Sequence, residues 1–352
     1  MMSFRNEKLE KASWPNSIIS LLTRIAEYKG KQALFERQIP EILKAMKETA
    51  VIQSTEASNR IEGIHVSTRR ITALVQEKSE PKNRSEAEVA GYRDVLKLIH
   101  ESAQYIPVNE NVILQFHRDL LNYATGAGGS WKASENYIRE TLPSGETRVR
   151  FQTVPAVMTP DAMKELTERY EHVKNQGTVN ELLIMAAYIL DFLCIHPFPD
   201  GSGRMARLLT LLLLYRSGYE VGRYISLEKV IEEDKEHYYD ALHRSSLGWH
   251  EGKHVLLPWT EFFLTMLLKA YQRFEDRVGV VSEANRKRGW KEEKVQEVVL
   301  SMLADFSFSD IQERCPGISR PTIQKVLNRL ARQDMIVCIE YGRNARWRKI
   351  IL

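Results

Sequence analysis

The stretch CIHPFPDGSGRMARLLTLLLLYRSG, Cys194–Gly218, sets one imidazole, one carboxylate, two glycines and two arginines between His196 and Arg207, directly ahead of an apolar run. The residues before it, Val179–Ile195, have the pattern of a buried helix. Proline lacks the amide hydrogen and clashes with the preceding turn, so Pro197 and Pro199 predict a loop over His196–Asp200. Gly201 and Gly203 let backbone come close to a ligand, and the chain resumes as a helix from Arg204. The free N–H groups at such a helix start form an anion site. Arg204 and Arg207, three residues apart, can grip further phosphate oxygens. Arginines there oppose the helix dipole by a few tenths of a kcal/mol each, a cost that a bound anion offsets. Asp200 is a hard oxygen ligand suited to a magnesium ion shared with phosphates. His196 is the side chain that can take a proton near neutral pH. Singly, a histidine before a proline is structural and arginines early in a helix are solvated. Jointly, the set reads as base, metal ligand, anion cradle and cationic clamp, the parts of a phosphoryl-type transfer.

Outward from this stretch the pattern is helical nearly throughout. Helices are expected over Ile18–Tyr28, Ala33–Ile61 with Pro40 a possible break, Ser85–Ala103, Asn109–Tyr123 and Pro160–Lys174, then over Asp234–Gly248 and Leu257–Val278. Gly126–Pro155 breaks the rule. Around LPSGET its flanks NYIRE and RVRFQTV predict a short β-hairpin. GVVSEANRKRGW, Gly279–Trp290, is charged, light in core residues and predicts a linker. Beyond it come helices over Lys291–Ala304, Ser309–Arg314 and Arg320–Asp334, with the turn CPGIS before the last. Two strand-like segments, MIVCIEY and ARWRKIIL, close the chain around Gly342-Arg343-Asn344. That order is a winged helix-turn-helix.

The 352 residues allow two or three domains, and 43% hydrophobic with 27% charged residues is ordinary for a globular protein. The formal charge of +4 is unevenly spread, because residues 285–352 hold 14 Lys/Arg against 8 Asp/Glu. A polyanion would therefore meet the C-terminal segment first. Cys194, Cys315 and Cys338 are odd in number and without metal-ligand spacing, which argues for a reducing compartment and against a disulfide framework or zinc site. The N-terminus has no basic-then-apolar signal layout, and Leu208–Tyr215 is too short to cross a bilayer. These features predict a cytoplasmic protein with no membrane partner.

HPFPDGSGRMAR resembles the signature of the Fic (Fic/Doc) family, written H-x-F-x-D/E-G-N-G-R-x-x-R. The resemblance implies a mostly α Fic-type domain whose members move AMP from ATP onto a protein hydroxyl and leave pyrophosphate. It implies His196 as base, Asp200 as ligand of Mg²⁺, and Gly201, Ser202 and Gly203 as phosphate cradle. Arg204 and Arg207 become the phosphate clamp and Phe198 an anchor of the loop. Ser202 departs from the family's usual Asn, offering one shorter hydroxyl donor that is also suited to N-capping. Upstream, Ser58-x-x-x-Glu62-Gly63 resembles the inhibitory motif S/T-x-x-x-E-G/N of autoinhibited relatives. There the Glu pairs with the second motif arginine, here Arg207, and competes with the γ-phosphate. In some relatives the same Glu supports removal of AMP.

The hairpin corresponds in position to the family's flap, about residues 130–153, which holds a target segment by strand addition. Tyr137, Ile138, Arg150 and Phe151 are its candidate contacts. The expected organisation is an N-terminal helical region over 1–108, a catalytic domain over 109–278 and a winged helix over 285–352. In the last helix Ile323, Val326, Leu327 and Leu330 form a core face. Arg320, Thr322, Gln324, Lys325 and Arg329 lie opposite, as a DNA-reading helix would offer them, with Arg343, Arg346, Arg348 and Lys349 on the wing. The leading expectation is an autoinhibited protein adenylyltransferase acting on a Ser, Thr or Tyr hydroxyl, its own included. The alternatives are AMP removal, transfer of another nucleotide or phosphate, and a nucleotide-responsive DNA-binding regulator. Oligomerisation stays open.

Overall fold

The computed structural model describes the chain except residues 39, 125, 127, 142–146, 287–289, 303, 304, 316, 317, 341, 343, 344, 351 and 352. It divides into two compact units, Met1–Phe274 and Glu275–Leu352.

The first unit begins with α1 (Asn16–Gln38) and α2 (Pro40–Ile61); the residue between them, where the sequence marks a break at Pro40, lies outside the described residues. Next come α3 (Thr68–Val75), α4 (Arg84–Ser102) and α5 (Glu110–Leu121). A two-stranded antiparallel hairpin follows, β1 (Tyr137–Thr141) with β2 (Thr147–Gln152), in the register Tyr137↔Gln152 and with a bulge after Ile138. The predicted turn over Leu142–Glu146 lies outside the described residues. Then come α6 (Thr159–Gln176), α7 (Glu181–Ile195), α8 (Ser202–Arg216), α9 (Leu227–Glu233), α10 (Lys235–Ser246) and α11 (Leu257–Arg286), which runs on past Phe274. Side-chain caps set several starts: Asn83, Asn109 and Asn180 each accept a backbone N–H at the opening of α4, α5 and α7. Gly177, in the left-handed region, ends α6.

The core runs along α7 and α8. Every residue of α7 from Leu182 to Ile195 is buried, and α8 is buried from Arg204 to Tyr215. Helices apolar on all sides belong inside a bundle, and α7 packs on α6 and α8, and α8 on α4. The N-terminal helices, expected as a region of their own, lie within this same unit, α2 packing on α3, α4 and α9. Two short helices, α3 and α9, span too few turns to show a periodicity in sequence.

The predicted linker over Gly279–Trp290 is corrected in its first part: α11 continues to Arg286, and residues 287–289 lie outside the described residues. Val, Glu, Ala and Arg sustain a helix there, and one glycine in a long helix costs only about 1 kcal/mol. The second unit contains α12 (Trp290–Ser301), β3 (Phe306–Ser307), α13 (Phe308–Arg314), α14 (Arg320–Arg332), β4 (Ile336–Glu340) and β5 (Arg346–Lys349). Its sheet has the order β3-β5-β4, and β3 is a strand the sequence reading lacked. Ile323, Val326, Leu327 and Leu330 are buried together with Phe306, Ile311 and Trp347. Parts of the predicted CPGIS turn and of the wing tip, Pro316, Gly317, Arg343 and Asn344, lie outside the described residues.

Candidate functional site

The end of α7 and the start of α8 face each other across a tight loop. His196 closes α7 in the left-handed region (φ 50°, ψ 64°), a conformation that costs a non-glycine residue of the order of 1–2 kcal/mol. Gly201 (φ 82°) is the N-cap of α8, and Ser202 is already helical. The serine therefore does not cap. Its hydroxyl turns inward, 3.3 Å from Phe198 N and 3.4 Å from Phe198 O, and the residue is buried. Phe198 is fully buried, stacked on His117 at 3.7 Å between ring centroids and flanked by Trp131.

His117 on α5 holds the loop from below. Gly129 N–H donates to its Nδ1 at 3.1 Å, which leaves Nε2 as the protonated nitrogen donating to Asp200 O at 3.1 Å. Burial lowers its pKa to about 4, so that tautomer persists.

A carboxylate stands at the start of α8. Glu62, just past the end of α2, accepts from Arg207 Nη2 at 2.7 Å through Oε1. A Cβ built on Gly203 would collide with that same oxygen, so glycine is what lets Glu62 reach the helix start. Arg207 also donates through Nε to Ser58 Oγ (2.8 Å) and through Nη2 to Ser58 O (3.0 Å). Burial works against its charge, but the Glu62 carboxylate together with the nearby Tyr238 and Tyr92 outweighs that and holds the guanidinium protonated. Gly63 (φ 80°) turns the chain after the carboxylate, and Lys235 caps α2 by donating to Ile61 O.

Arg204 faces away from that pair. Its Nη1 donates to Glu88 Oε2 on α4 at 2.7 Å, and both side chains are buried. Its Nη2 lies 3.5 Å from Asp200 Oδ1, while Asp200 Oδ2 is 3.7 Å from Arg84 Nη2. Arg84 closes the ring through Nε to Glu88 Oε1 at 2.9 Å. Glu88 is thus fully engaged, whereas the half-exposed Asp200 is held only loosely.

The His196 imidazole is unprotonated at neutral pH. Burial, then the Lys132 cation, bring its pKa down to about 4. Its Nδ1 has no hydrogen-bond partner among the described residues. Glu62, His196, Gly203, Arg207, Ile138 and Tyr239 are among the residues that line one cleft of about 740 Å³. The hairpin forms its rim. Arg150 donates to Tyr239 O at 2.6 Å, and Phe151 stacks on His250, whose Nε2 is 2.7 Å from Gln152 O. Tyr137 stays exposed.

The structure therefore brings His196, Asp200, Gly201, Gly203, Arg207 and Glu62 to one place. It turns Arg204 into the protein, and Ser202, in the cleft wall, directs its hydroxyl to Phe198. Sequence reasoning missed Glu88, His117, Lys132, Asn136 and Thr153. Each lies tens of residues from the motif, and none carries a local pattern.

Residues 107–214 match the family model described as Fic/DOC family. The match covers α5, the hairpin, α6, α7 and most of α8, and leaves out Glu62 and α10, which also line the cleft. A protein named protein adenylyltransferase Fic, from Drosophila grimshawi, is 28% identical over 187 residues, which is 50% of this chain and 35% of that one. Its Drosophila melanogaster namesake is 26% identical over 182 residues, with the same coverage. The matched region thus spans about a third of those relatives. Among solved structures, a Fic family protein from Desulfovibrio desulfuricans superposes with a TM-score of 0.64 at 22% identity, covering 96% of this chain and 97% of its own. Fic-1 of C. elegans gives 0.61 at 21% identity, covering 76% and 73%. At these identities the likeness is one of fold, and the fold is the Fic fold.

Proposed function

We propose that the Met1–Phe274 unit is a protein adenylyltransferase held off by its own Glu62. The observation that carries the reading is the Glu62 carboxylate on Arg207, at the start of α8 and in the cleft that contains His196. A phosphate would want the same guanidinium and the same N–H groups, so the carboxylate and a triphosphate exclude each other there. With Glu62 displaced, ATP places its phosphates along the start of α8. A hydroxyl on the target, held along the hairpin edge, attacks the α-phosphorus. The bond from that phosphorus to the bridging oxygen breaks, and pyrophosphate leaves with the electron pair. His196, unprotonated and in the cleft, accepts the hydroxyl proton.

Among the described residues no group of three or more His, Cys, Asp or Glu gathers around a metal position. A cation that keeps waters and phosphate oxygens for most of its ligands, as Mg²⁺ does, still fits the single loosely held carboxylate of Asp200. Asp200 would hold it, and the ion would supply neutralisation of phosphate charge. Arg207 serves as phosphate clamp. Arg204, paired to Glu88, steadies Asp200 rather than reaching for the nucleotide, and Ser202 fixes the loop. Other donors and AMP removal use the same groups, and a mass measurement on modified protein separates them.

The helix, strand and wing order of the second unit supports a winged helix there, with DNA as its candidate partner. Lys325 and Arg329 bond Glu292, and Arg348 bonds Asp305. DNA contact by these cations requires exchange of those partners. No helix among the described residues is long and apolar enough to cross a membrane.

The deciding experiment incubates wild type, Glu62→Gly and His196→Ala with adenine-labelled ATP and Mg²⁺ in target-bearing lysate. Label strong in Glu62→Gly and absent in His196→Ala is the expected result. No label in any of them, with salt-sensitive DNA binding intact, would replace the enzyme reading with a regulator.

A further inference from the structure

The root of the hairpin and the end of α7 are joined by a knot of buried polar groups. Lys132 Nζ donates to Asn136 Oδ1 (2.8 Å), Thr153 Oγ1 (2.8 Å) and Ile195 O (3.0 Å), which uses all three of its hydrogens. Lys132 N–H donates to Pro197 O at 2.8 Å. Asn136 Nδ2 reaches His196 O at 3.3 Å and Phe198 O at 2.9 Å. The Thr153 hydroxyl returns to Asn136, 2.7 Å from its carbonyl. Four consecutive carbonyls, from Ile195 to Phe198, thus receive donors from two residues just ahead of β1.

Two costs explain why such a knot is needed. The last carbonyls of a helix have no partner within it, and buried ones must find donors elsewhere. His196 also sits in the left-handed region, which persists only where the surroundings over-determine it. An ammonium at a helix C-terminus answers both, because it donates in several directions and opposes the negative end of the dipole.

We propose that Lys132, with Asn136, is a positioning residue for His196: it locks the turn that carries the imidazole to the root of the hairpin and presents a positive charge to the ring. The inference rests on the reading of His196 as base and extends it to how that base is held. Burial lowers the Lys132 pKa to about 8, so it is still mostly charged at pH 7. The other charges acting on the ring are Glu62 from the end of α2 and Asp200 from its own loop, both favouring the imidazolium. Lys132 opposes them. Because Lys132 bonds Thr153, the residue after β2, a peptide docking along the hairpin pulls on the same knot that orients the base.

The test follows the His196 ring itself. Full-length protein with ring-labelled histidine is titrated by NMR from about pH 7.5 to about pH 3, with His196→Ala identifying the signal. In Lys132→Met the His196 signal is expected to move toward the imidazolium at a pH higher by about one unit, the scale of a lost like-charge neighbour. Lys132→Arg, which keeps charge and donors, should restore the wild-type curve. Superimposable curves for wild type and Lys132→Met overturn the proposal, as does failure of Lys132→Arg to restore the curve. If Lys132→Met does not fold, Lys132→Gln keeps an amide donor without charge and is judged by the same criterion. The titration needs no nucleotide, target or turnover. A shifted ring with no transfer in Glu62→Gly would therefore count against the adenylyltransferase reading alone.

Discussion

At the start of α8, cations and carboxylates pair across long stretches of chain, with the guanidiniums out of water. In the second unit, pairs of the same chemistry lie on the surface. Arg204 reaches Glu88 and Arg207 reaches Glu62, each more than a hundred residues away, and both guanidiniums are buried. Lys325 meets Glu292 with its side chain 71% exposed, and Arg348 meets Asp305 at 61%. The distances are alike, between 2.7 and 3.0 Å. What differs is the alternative open to each partner. A surface lysine that loses its carboxylate returns to water, whereas a buried guanidinium has nowhere to go. A pair in the cleft can therefore hold a site in one state, and a surface pair cannot.

Glu88→Ala should show the largest effect. Among the described residues it leaves Arg204, in the interior, the 3.5 Å contact to Asp200 alone. Breaking one side of a buried pair costs about 3–5 kcal/mol, which lowers Tm by roughly 10 °C in a unit of this size. Calorimetry on Glu88→Ala and Glu88→Gln checks it, since Gln retains an acceptor and should recover part of the loss. A drop below about 1 kcal/mol for Ala would mean that the cleft pairs behave like surface ones.

Acid comes next. Burial holds His117, His196 and His254 to pKa values of about 4, while the unfolded chain takes those protons near 6.5. Between these values the unfolded state binds more protons, so stability is full above pH 6.5 and declines as pH falls toward 4. A loss of the order of 1 kcal/mol for each group by pH 5 is expected, read as a falling Tm between pH 7 and 5. A flat Tm over that range would show that these rings are hydrated.

How much of this was legible in the sequence follows from distance along the chain. Pro197, Pro199, Gly201 and Gly203 announce the loop because each acts on its own backbone. His196, Asp200 and Arg207 could be read as a set because one turn gathers them. Glu62 was legible through its motif, although its contact with Gly203 was not. The partners of Arg204 were hidden: Glu88 is one acid among many on α4, and only tertiary packing turns it inward. Lys132 lies in a stretch that reads as loop and Asn136 opens a predicted hairpin strand, and no periodicity there separates a buried lysine from a solvated one. The reading of Gly279–Trp290 as linker missed the continuation of α11 to Arg286 for a related reason, since charge and few apolar residues also describe the end of a long helix.

Glu62→Gly is the intermediate case, because Glu62 is partly exposed whereas Arg207 is buried. The lost pair should cost about 1–2 kcal/mol, less than Glu88→Ala, since solvent already screens one partner and Ser58 still bonds the guanidinium. Addition of ATP and Mg²⁺ should restore more stability to this variant than to wild type, because the phosphates no longer compete with a carboxylate. Equal nucleotide-induced rises in Tm for the two proteins would remove Glu62 from the anion position.

Glu292→Ala should change stability least, by about 0–1 kcal/mol, because its partners Lys325 and Arg329 are partly or largely exposed. Its informative effect lies elsewhere. Releasing two cations on one face of α14 adds two potential phosphate contacts. If that face meets DNA, affinity for a duplex should rise and its dependence on salt should steepen by up to about two counterions. A titration of Glu292→Ala and wild type against one duplex at several salt concentrations reads both quantities. Unchanged slopes would show that Lys325 and Arg329 face something other than a phosphate backbone. The acid on α12 would then be no competitor at all, and the parallel with Glu62, a carboxylate standing where a phosphate would bind, would hold in the cleft alone.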